Sequence, residues 1–343
     1  MLSANRGIWQ ALIPLWFLLV SVFVQAGCSC GPQRQAQSNK ARPCISQHAR
    51  RVVAPPLQSK TIVPGVTPAS FAVTDSGDAA LSMSLEVPPG RAGVEPSLAI
   101  TYSSSGGDGV LGAGFGISGS SAITRCPKTM AIDGEIRSVQ YYMDDALCID
   151  GKRLVIVARH GDTMEYRTFP ETQVKVLGHL ANEEQSFFEA FLPSGNVIEF
   201  GKTPGSRPLA RDGVARAWLA TETRDPRGNT MTYGYCFAES DEGFTAAYAL
   251  DEIRYTGFGD EEGTRAVSFV YGTKNSDDVR TIYSAGMAFQ SALRLEEVQT
   301  SVNEELVRRY EFNYEQSETT GRTLLQSVQE CGPDGACKPE TRF

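Results

Sequence analysis

The stretch Leu81-Ser-Met-Ser-Leu-Glu-Val87 alternates apolar and polar side chains and runs directly into Pro88-Pro-Gly90. Successive side chains of a β-strand point to opposite faces, so a period of two predicts a strand with one buried face. A second run, Leu98-Ala-Ile-Thr-Tyr102, follows after a short loop. Together the two runs predict a pair of antiparallel strands.

Short alternating runs separated by Gly, Pro, Asn and Asp continue from Thr61 onward. Turn residues between such runs predict hairpins over Phe187 to Phe200, Arg224 to Tyr235 and Leu295 to Tyr314. After the first 26 residues, no window of eleven or more has a strong helical period of 3.6. The sequence therefore predicts an all-β body of multi-stranded antiparallel sheets, or a sandwich, with at most a short helix.

The charge of the chain is unevenly distributed. The formal net charge of the 343 residues is −8, but the first 60 residues carry +7, which leaves −15 for residues 61–343. A nucleic-acid surface needs Lys and Arg to neutralise phosphates. The composition therefore predicts a folded, acidic body that has no nucleic-acid partner.

The N-terminus has the features of an export signal. Arg6 precedes an apolar stretch over Leu12 to Val24, which is too short for a membrane-spanning helix, and Val24-Gln25-Ala26 has the small residues that a signal peptidase accepts. We expect residues 1–26 to be a secretory signal peptide, so that the mature, secreted chain begins at Gly27. Two alternatives stay open: an uncleaved anchor helix, or lipoprotein processing that places a lipid on Cys28 and tethers the chain to a membrane.

Residues 27–60 are rich in Gln, Ser, Pro and Arg and lack periodic apolar side chains. This composition is typical of a solvated, disordered linker. The predicted organisation is a signal peptide over residues 1–26, a basic linker over 27–60 and a β-domain over 61–343.

Eight cysteines fit an exported protein, since disulfides persist outside the reducing cytosol. Cys331 and Cys337 are separated by turn residues that can bring their sulfur atoms together. Cys126 and Cys148 could also pair, which would leave Cys236 as a buried free thiol. The cysteines contain no C-x-x-C spacing, so we expect no zinc cluster.

Gly114-Phe-Gly116-Ile-Ser-Gly119 matches the G-x-G-x-x-G pattern of dinucleotide-binding loops. Such a loop needs a helix that begins at the glycines and binds the pyrophosphate, whereas the residues that follow are strand-like and reach Pro127. The motif is better interpreted as a glycine-rich turn and bulge, with Leu111, Phe115 and Ile117 as apolar anchors. No cofactor site is predicted.

The remaining polar motifs predict structure rather than catalysis. Asp225-Pro-Arg-Gly228 suits a hairpin tip, because an aspartyl protease needs two carboxylates that share one site. We expect the isolated histidines to be surface or structural residues and the acid pairs to form solvated faces; these are His48, His160, His179, Asp144-Asp145 and Asp277-Asp278. We predict no catalytic residue and no metal ligand.

The ordered string SFAVTDSGDAALSMSLEVPPGRAGVEPSLAITY over residues 70–102, the SSSGGDGVLGAGFGISGSSAITRCPKT that continues to Thr129, and LCIDGKRLV from Leu147 resemble one family. It is the amino-terminal domain of SpvB and of the insecticidal-toxin-complex B subunits. The similarity continues through FLPSGNVIEFG and LVRRYEFNYEQS to SVQECGPDGACKP, and so covers roughly Thr61 to Phe343.

This resemblance implies a non-catalytic structural module. In the family, such domains form part of a β-sheet shell that encloses a toxic polypeptide, together with a β-propeller and RHS or YD repeats. The implied partners are therefore β-propeller and RHS-repeat toxin subunits, with no small-molecule cofactor.

The chain also departs from the family pattern. It ends at Phe343, where relatives continue into the propeller, and it lacks the E-x-E of the ADP-ribosyltransferases found in some relatives and the second D-P-x-G of RHS autoproteases. A leader and a basic linker are additional. The alternative function is a secreted or lipid-anchored adhesin or other binding module built on the same β-domain.

Overall fold

The computed structural model describes residues 42–44, 60–180, 185–210, 213–240 and 244–343. The predicted signal peptide, most of the predicted linker, and His48 lie outside the described residues. Residues 39–343 belong to one compact unit. The expected all-β class is confirmed: strands dominate, and the helical segments are the four-residue helix α1, Met130–Asp133, and short 3-10 turns such as Pro204–Ser206 and Ser276–Asp278.

The first eight strands are short. They are β1 Arg42–Pro43, β2 Thr61–Ile62, β3 Ala69–Val73, β4 Ala79–Leu85, β5 Leu98–Ser103, β6 Asp108–Gly109, β7 Gly112–Ala113 and β8 Phe115–Ile117. Strands β3, β4, β5 and β8 form a four-stranded antiparallel sheet in that order. The predicted antiparallel pair is β4 and β5, although β4 ends at Leu85, two residues before the alternating pattern does.

The next eight strands close into a barrel. They are β9 Ala122–Cys126, β10 Ala146–Ile149, β11 Lys152–His160, β12 Thr163–Phe169, β13 Lys175–His179, β14 Phe187–Phe191, β15 Val197–Phe200 and β16 Ala217–Arg224. Each strand pairs antiparallel with the next, and β16 pairs back onto β9, with Trp218 opposite Ile123. Closure removes the free edges that an open sheet would expose.

A long antiparallel sheet continues from β16. Its further strands are β17 Asn229–Glu239, β18 Thr245–Phe258, β19 Arg265–Thr273, β22 Leu293–Val302, β23 Glu305–Gln316, β24 Thr323–Cys331, β25 Ala336–Cys337 and β26 Thr341–Arg342. Between β19 and β22 the chain forms a separate two-stranded hairpin of β20 Arg280–Ser284 and β21 Met287–Ser291. The three hairpins predicted from turn residues are present as β14–β15, β16–β17 and β22–β23.

Two large apolar cores and a smaller cluster around Phe244 and Phe289 lie among the described residues. In the larger core, inward-facing residues of the four-stranded sheet, such as Met83 and Ile100, pack against residues of the long sheet, such as Ile253 and Leu295. This is the two-layer packing of a sandwich. Hydroxyl groups also join the layers, because Tyr310 accepts a hydrogen bond from the backbone N–H of Glu86 at 2.8 Å.

The second core fills the barrel. Phe188 and Phe200 are completely buried there, together with Trp218. Gly178 lies opposite Phe188 in the β13–β14 ladder, and a Cβ atom at Gly178 would lie 2.7 Å from the Phe188 ring. Because Gly178 has no side chain, the Phe188 ring can occupy this space. Eight-stranded barrels have interiors that side chains can fill or that can hold one small ligand.

The expectation that Cys236 is a free thiol is wrong. Cys236 forms a disulfide with Cys44, 192 residues earlier, beside the parallel pairing of β1 with β17. The sequence argument missed the bond because Cys44 belongs to a segment without strand signals. The structure also joins Cys126 to Cys148, and Cys331 to Cys337.

Candidate functional site

The glycine-rich motif forms turns and short strands. Gly116 lies inside β8, and the residues after Gly119 enter strand β9 rather than a helix. Gly119 has φ of +112°, and a Cβ atom there would lie 2.4 Å from Leu98. Leu111 is fully buried, as expected of an apolar anchor. The motif therefore provides close packing beside β5.

Asp225 caps the turn between β16 and β17. Its carboxylate accepts hydrogen bonds from the backbone N–H groups of Arg227 and Asn229, at 2.9 and 2.8 Å, and from the Asn229 side chain at 2.7 Å. The Asn229 side-chain bond is the largest cause that lowers the pKa of Asp225. The predicted hairpin tip is thus an Asx-type turn held by an ionised carboxylate.

The expectation that both acid pairs form solvated faces is wrong for one member of each pair. Asp145 is buried, lies 3.7 Å from the guanidinium of Arg125, and accepts the N–H of Tyr142 at 3.1 Å. Asp278 is also buried and accepts the N–H of Thr323 at 3.0 Å. The acidic pattern could not reveal this, because Arg125 and Thr323 lie 20 and 45 residues away from these acids in the sequence.

The histidines take part in surface interactions. His160 is exposed at the end of β11. His179 stacks on Phe187 with ring centroids 4.3 Å apart and lies 2.9 Å from a Glu189 oxygen. Among the residues that the structure describes, no three His, Cys, Asp or Glu side chains are arranged to hold a metal ion.

A buried ion pair joins the glycine-rich segment to the β20–β22 region. The ammonium of Lys274 lies 2.5 Å from the carboxylate of Asp108, and the Lys274 side chain is completely buried. Ser291 donates to the same carboxylate oxygen at 2.7 Å and accepts from Lys274 at 3.0 Å. Lys274 and Ser291 both bind the Oδ2 atom of Asp108, and these contacts form a structural connection across 166 residues of sequence.

A cavity of about 610 Å³ opens at one end of the barrel. Its wall includes Leu154, Tyr166 and Trp218 from the barrel strands, and α1 contributes Ile132. Buried Arg125 also borders it, donates to the carbonyl of Ala215 at 2.8 Å, and lies over the Trp218 ring. Sequence reasoning missed this site. The sequence feature that could have indicated the site is Arg125, a basic residue two positions after Ile123 and therefore on the same inward face of β9.

Strand β3, at one edge of the four-stranded sheet, exposes large apolar side chains. All five residues of β3 are exposed, including Phe71 at 69% and Val73 at 67%. Within the described residues, β3 pairs only with β4, so its other edge has backbone groups available for a further strand. An exposed apolar edge of this kind suits pairing with another β-sheet.

The processing residues Ala26, Gly27 and Cys28 lie outside the described residues. In the part of the chain that the structure describes, no helix has the length and apolar character needed to cross a membrane.

Comparisons with solved structures identify the architecture. A crystal structure of TcdB2-TccC3 superposes with a TM-score of 0.66 at 18% sequence identity, covering 82% of this chain and 17% of that chain. The Tc holotoxin pore of Photorhabdus luminescens gives 0.65 at 18% identity, with coverages of 82% and 16%. The present chain thus spans about one sixth of the length of these toxin chains.

The N-terminal domain of the effector protein SpvB from Salmonella typhimurium strain LT2 is similar over 73% of this chain and 98% of that domain, with a TM-score of 0.59 and 18% identity. No curated protein matches the sequence. The family model described as Salmonella virulence plasmid 65kDa B protein, SpvB, matches residues 73–285. Since this match spans well over half of the sequence, the chain belongs to the SpvB family.

Proposed function

We propose that this chain is a non-catalytic structural module in the wall of a toxin-complex shell, where it helps to enclose a toxic polypeptide before delivery. The observation that carries the proposal is the closed barrel joined through β16 to the long sheet. The fold of this chain is similar to part of TcdB2-TccC3 over 82% of its length.

The internal polar groups support a structural role. Buried charges such as Lys274 and Asp108 bind one another, and the Asp225 carboxylate holds a turn. Charged groups that are paired within the fold hold its segments together, whereas catalytic groups are positioned toward a reacting substrate.

The proposed contact with neighbouring subunits is the free edge of β3. Strand addition there would pair the exposed backbone and cover Phe71 and Val73 with apolar side chains of the partner. The proposed partners are toxin subunits that carry a β-propeller and RHS repeats.

Co-purification tests the proposal. The full chain, tagged and co-expressed with propeller and RHS subunits from the same genome, should recover those subunits in stable proportion. Phe71→Asp should reduce the recovery about tenfold, because it places a charge in an apolar contact. Tyr283→Asp is the matched control, since Tyr283 is similarly exposed but lies on β20.

The two parts of the proposal fail in different ways. If the unaltered chain recovers none of these subunits, the shell role is wrong. If the subunits are recovered equally with Phe71→Asp, or are lost with Tyr283→Asp, the shell role stands and β3 is not the contact.

We also propose that the chain is exported and that its disulfides form after export. Three disulfides among the described residues support this, because such bonds persist in oxidising compartments. Sequencing of the mature N-terminus should give Gly27. Labelling with a radioactive fatty acid that is lost in Cys28→Ala would instead establish the lipid-tethered form.

A further inference from the structure

The cavity at the open end of the barrel has a rigid apolar wall. The indole N–H of Trp218 donates to the hydroxyl of Ser186 at 2.9 Å, and the Trp218 ring packs edge-on against Phe188 at 4.9 Å. These contacts fix the indole ring, so it cannot rotate to fill the space. The volume of about 610 Å³ lies within the range of sites that hold small molecules.

One buried polar group on this wall has only a weak partner. Tyr166 is 4% exposed, and the hydrogen bond of its hydroxyl goes to the thioether sulfur of Met164 at 3.5 Å. Thioether sulfur is a weak acceptor, so the hydroxyl retains capacity to donate to a bound molecule. Burial raises the pKa of Tyr166 and keeps it a neutral donor, while the positive charges of Arg159 and Arg153 act in the opposite direction.

The charges around the cavity are mostly neutralised in pairs. Lys128 contacts Asp144 at 3.3 Å, and Arg153 forms an ion pair with Asp133. Arg159 also lines the cavity and is exposed, and among the described residues it has no acidic partner. The Nε of Arg153 is buried without a hydrogen-bond partner. Arg159 and Arg153 therefore place positively charged hydrogen-bond donors at the mouth of the cavity, beside its apolar interior.

Apolar side chains also surround the mouth. Met143 and Ile156 line the cavity and are themselves 67% and 40% exposed. An aliphatic ligand that emerges from the cavity would cover them and gain hydrophobic stabilisation in proportion to the area buried.

We propose that the barrel mouth binds a small amphipathic anion, an aliphatic carboxylate whose chain occupies the space beside Leu154 and Trp218 and whose carboxylate contacts Arg159 and the Tyr166 hydroxyl. This activity is separate from the proposed shell role and does not depend on it. It would give the module a ligand in addition to its subunit contacts.

Intrinsic fluorescence provides a direct test. The three tryptophans of the chain are Trp9, Trp16 and Trp218, so Trp9→Phe with Trp16→Phe leaves the cavity residue as the single tryptophan of the full chain, which can be excited selectively over tyrosine. Dodecanoate, kept below its critical micelle concentration, should change this emission in a saturable manner. Calorimetry should give one site per chain.

Charge variants and probes distinguish the site from nonspecific adsorption. Arg159→Gln should weaken dodecanoate binding about tenfold, because a charge-assisted contact is lost at an exposed position that does not support the fold. Lys152→Gln, which removes an exposed cation from the same strand outside the cavity, should leave binding unchanged. Tyr166→Phe should weaken binding several-fold and retain the packing of the ring.

The proposal is wrong if dodecanoate gives no saturable change, or if Arg159→Gln and Lys152→Gln bind equally. It is also wrong if dodecyltrimethylammonium, which has the same chain and the opposite charge, binds as tightly as dodecanoate.

Discussion

Removal of the Lys274 ammonium should destabilise the protein, because the buried carboxylate of Asp108 would lose its positively charged partner. Lys274→Met keeps the aliphatic volume but leaves Asp108 with Ser291 at 2.7 Å and Arg322 at 3.7 Å as its remaining partners. Breaking a buried ion pair by deleting one member costs about 3–5 kcal/mol. Because two partners remain, we expect a loss of about 3 kcal/mol in the free energy of unfolding.

The double variant separates the cost of an unpaired charge from the cost of altered packing. Lys274→Met combined with Asp108→Leu removes both charges, so its free energy of unfolding should return to within about 1 kcal/mol of the original value. The matched control is Lys60→Met. Lys60 lies 2.5 Å from Glu311, the same distance as in the buried pair, but its side chain is 41% exposed. It should cost less than about 1 kcal/mol.

Urea unfolding followed by circular dichroism measures all three values. The reasoning is refuted if Lys274→Met costs no more than Lys60→Met, or if the double variant is as unstable as the single one. Either result would mean that water or local rearrangement satisfies Asp108, and that the ion pair does not connect these segments as the structure indicates.

Four other contacts of the fold give further predictions. Phe188→Ala, in the filled part of the barrel, should lower the free energy of unfolding by about 3–5 kcal/mol in urea, and a loss below about 1 kcal/mol would contradict a packed lumen. Cys236→Ser should cost about 5 kcal/mol and Cys337→Ser about 2 kcal/mol, because their loops span 192 and 6 residues; equal losses would contradict this reasoning. Burial raises the pKa of Tyr310 to about 12, so stability should fall as pH rises from about 10 through 12, and less so in Tyr310→Phe; an equal fall in Tyr310→Phe and the unaltered protein would refute it. The pKa of Asp225 is lowered by its hydrogen bonds, so its contribution is present above the usual value of 3.8 and lost as pH falls below it; Asp225→Asn should show a weaker acid dependence, and an unchanged pH profile would contradict the cap.

Local patterns predicted the strands and the hairpins well, because alternation and turn residues act over a few positions. The run from Leu81 and the turn at Asp225 have the structures that their sequences indicate. The FFEAFLPSGNVIEF segment forms a hairpin for the same reason.

Barrel closure could not be predicted in this way. It depends on the pairing of Ile123 with Trp218, which are distant in sequence and have no local pattern in common. Long-range pairing is selected by the packing of the whole core rather than by strand propensity. The cavity exists only after closure, so its lining could not be recognised either.

Buried charge was the other limit of the sequence argument. Asp145 and Asp278 look like solvated acids in sequence, but Asp145 is buried beside the guanidinium of Arg125, and Asp278 is buried and accepts a hydrogen bond from the N–H of Thr323. The Cys44–Cys236 disulfide could not be predicted for the same reason, because it joins a segment of linker-like composition to the distant strand β17. In each case the decisive partner is supplied by tertiary structure.

Protease protection of a co-expressed toxic polypeptide tests the proposed shell role most directly. The toxic polypeptide is co-expressed with the proposed propeller and RHS partners, with or without the full chain, and its digestion is followed over time. The shell role predicts that the polypeptide is digested much more slowly when the chain is present. Equal digestion with and without the chain would contradict the shell role.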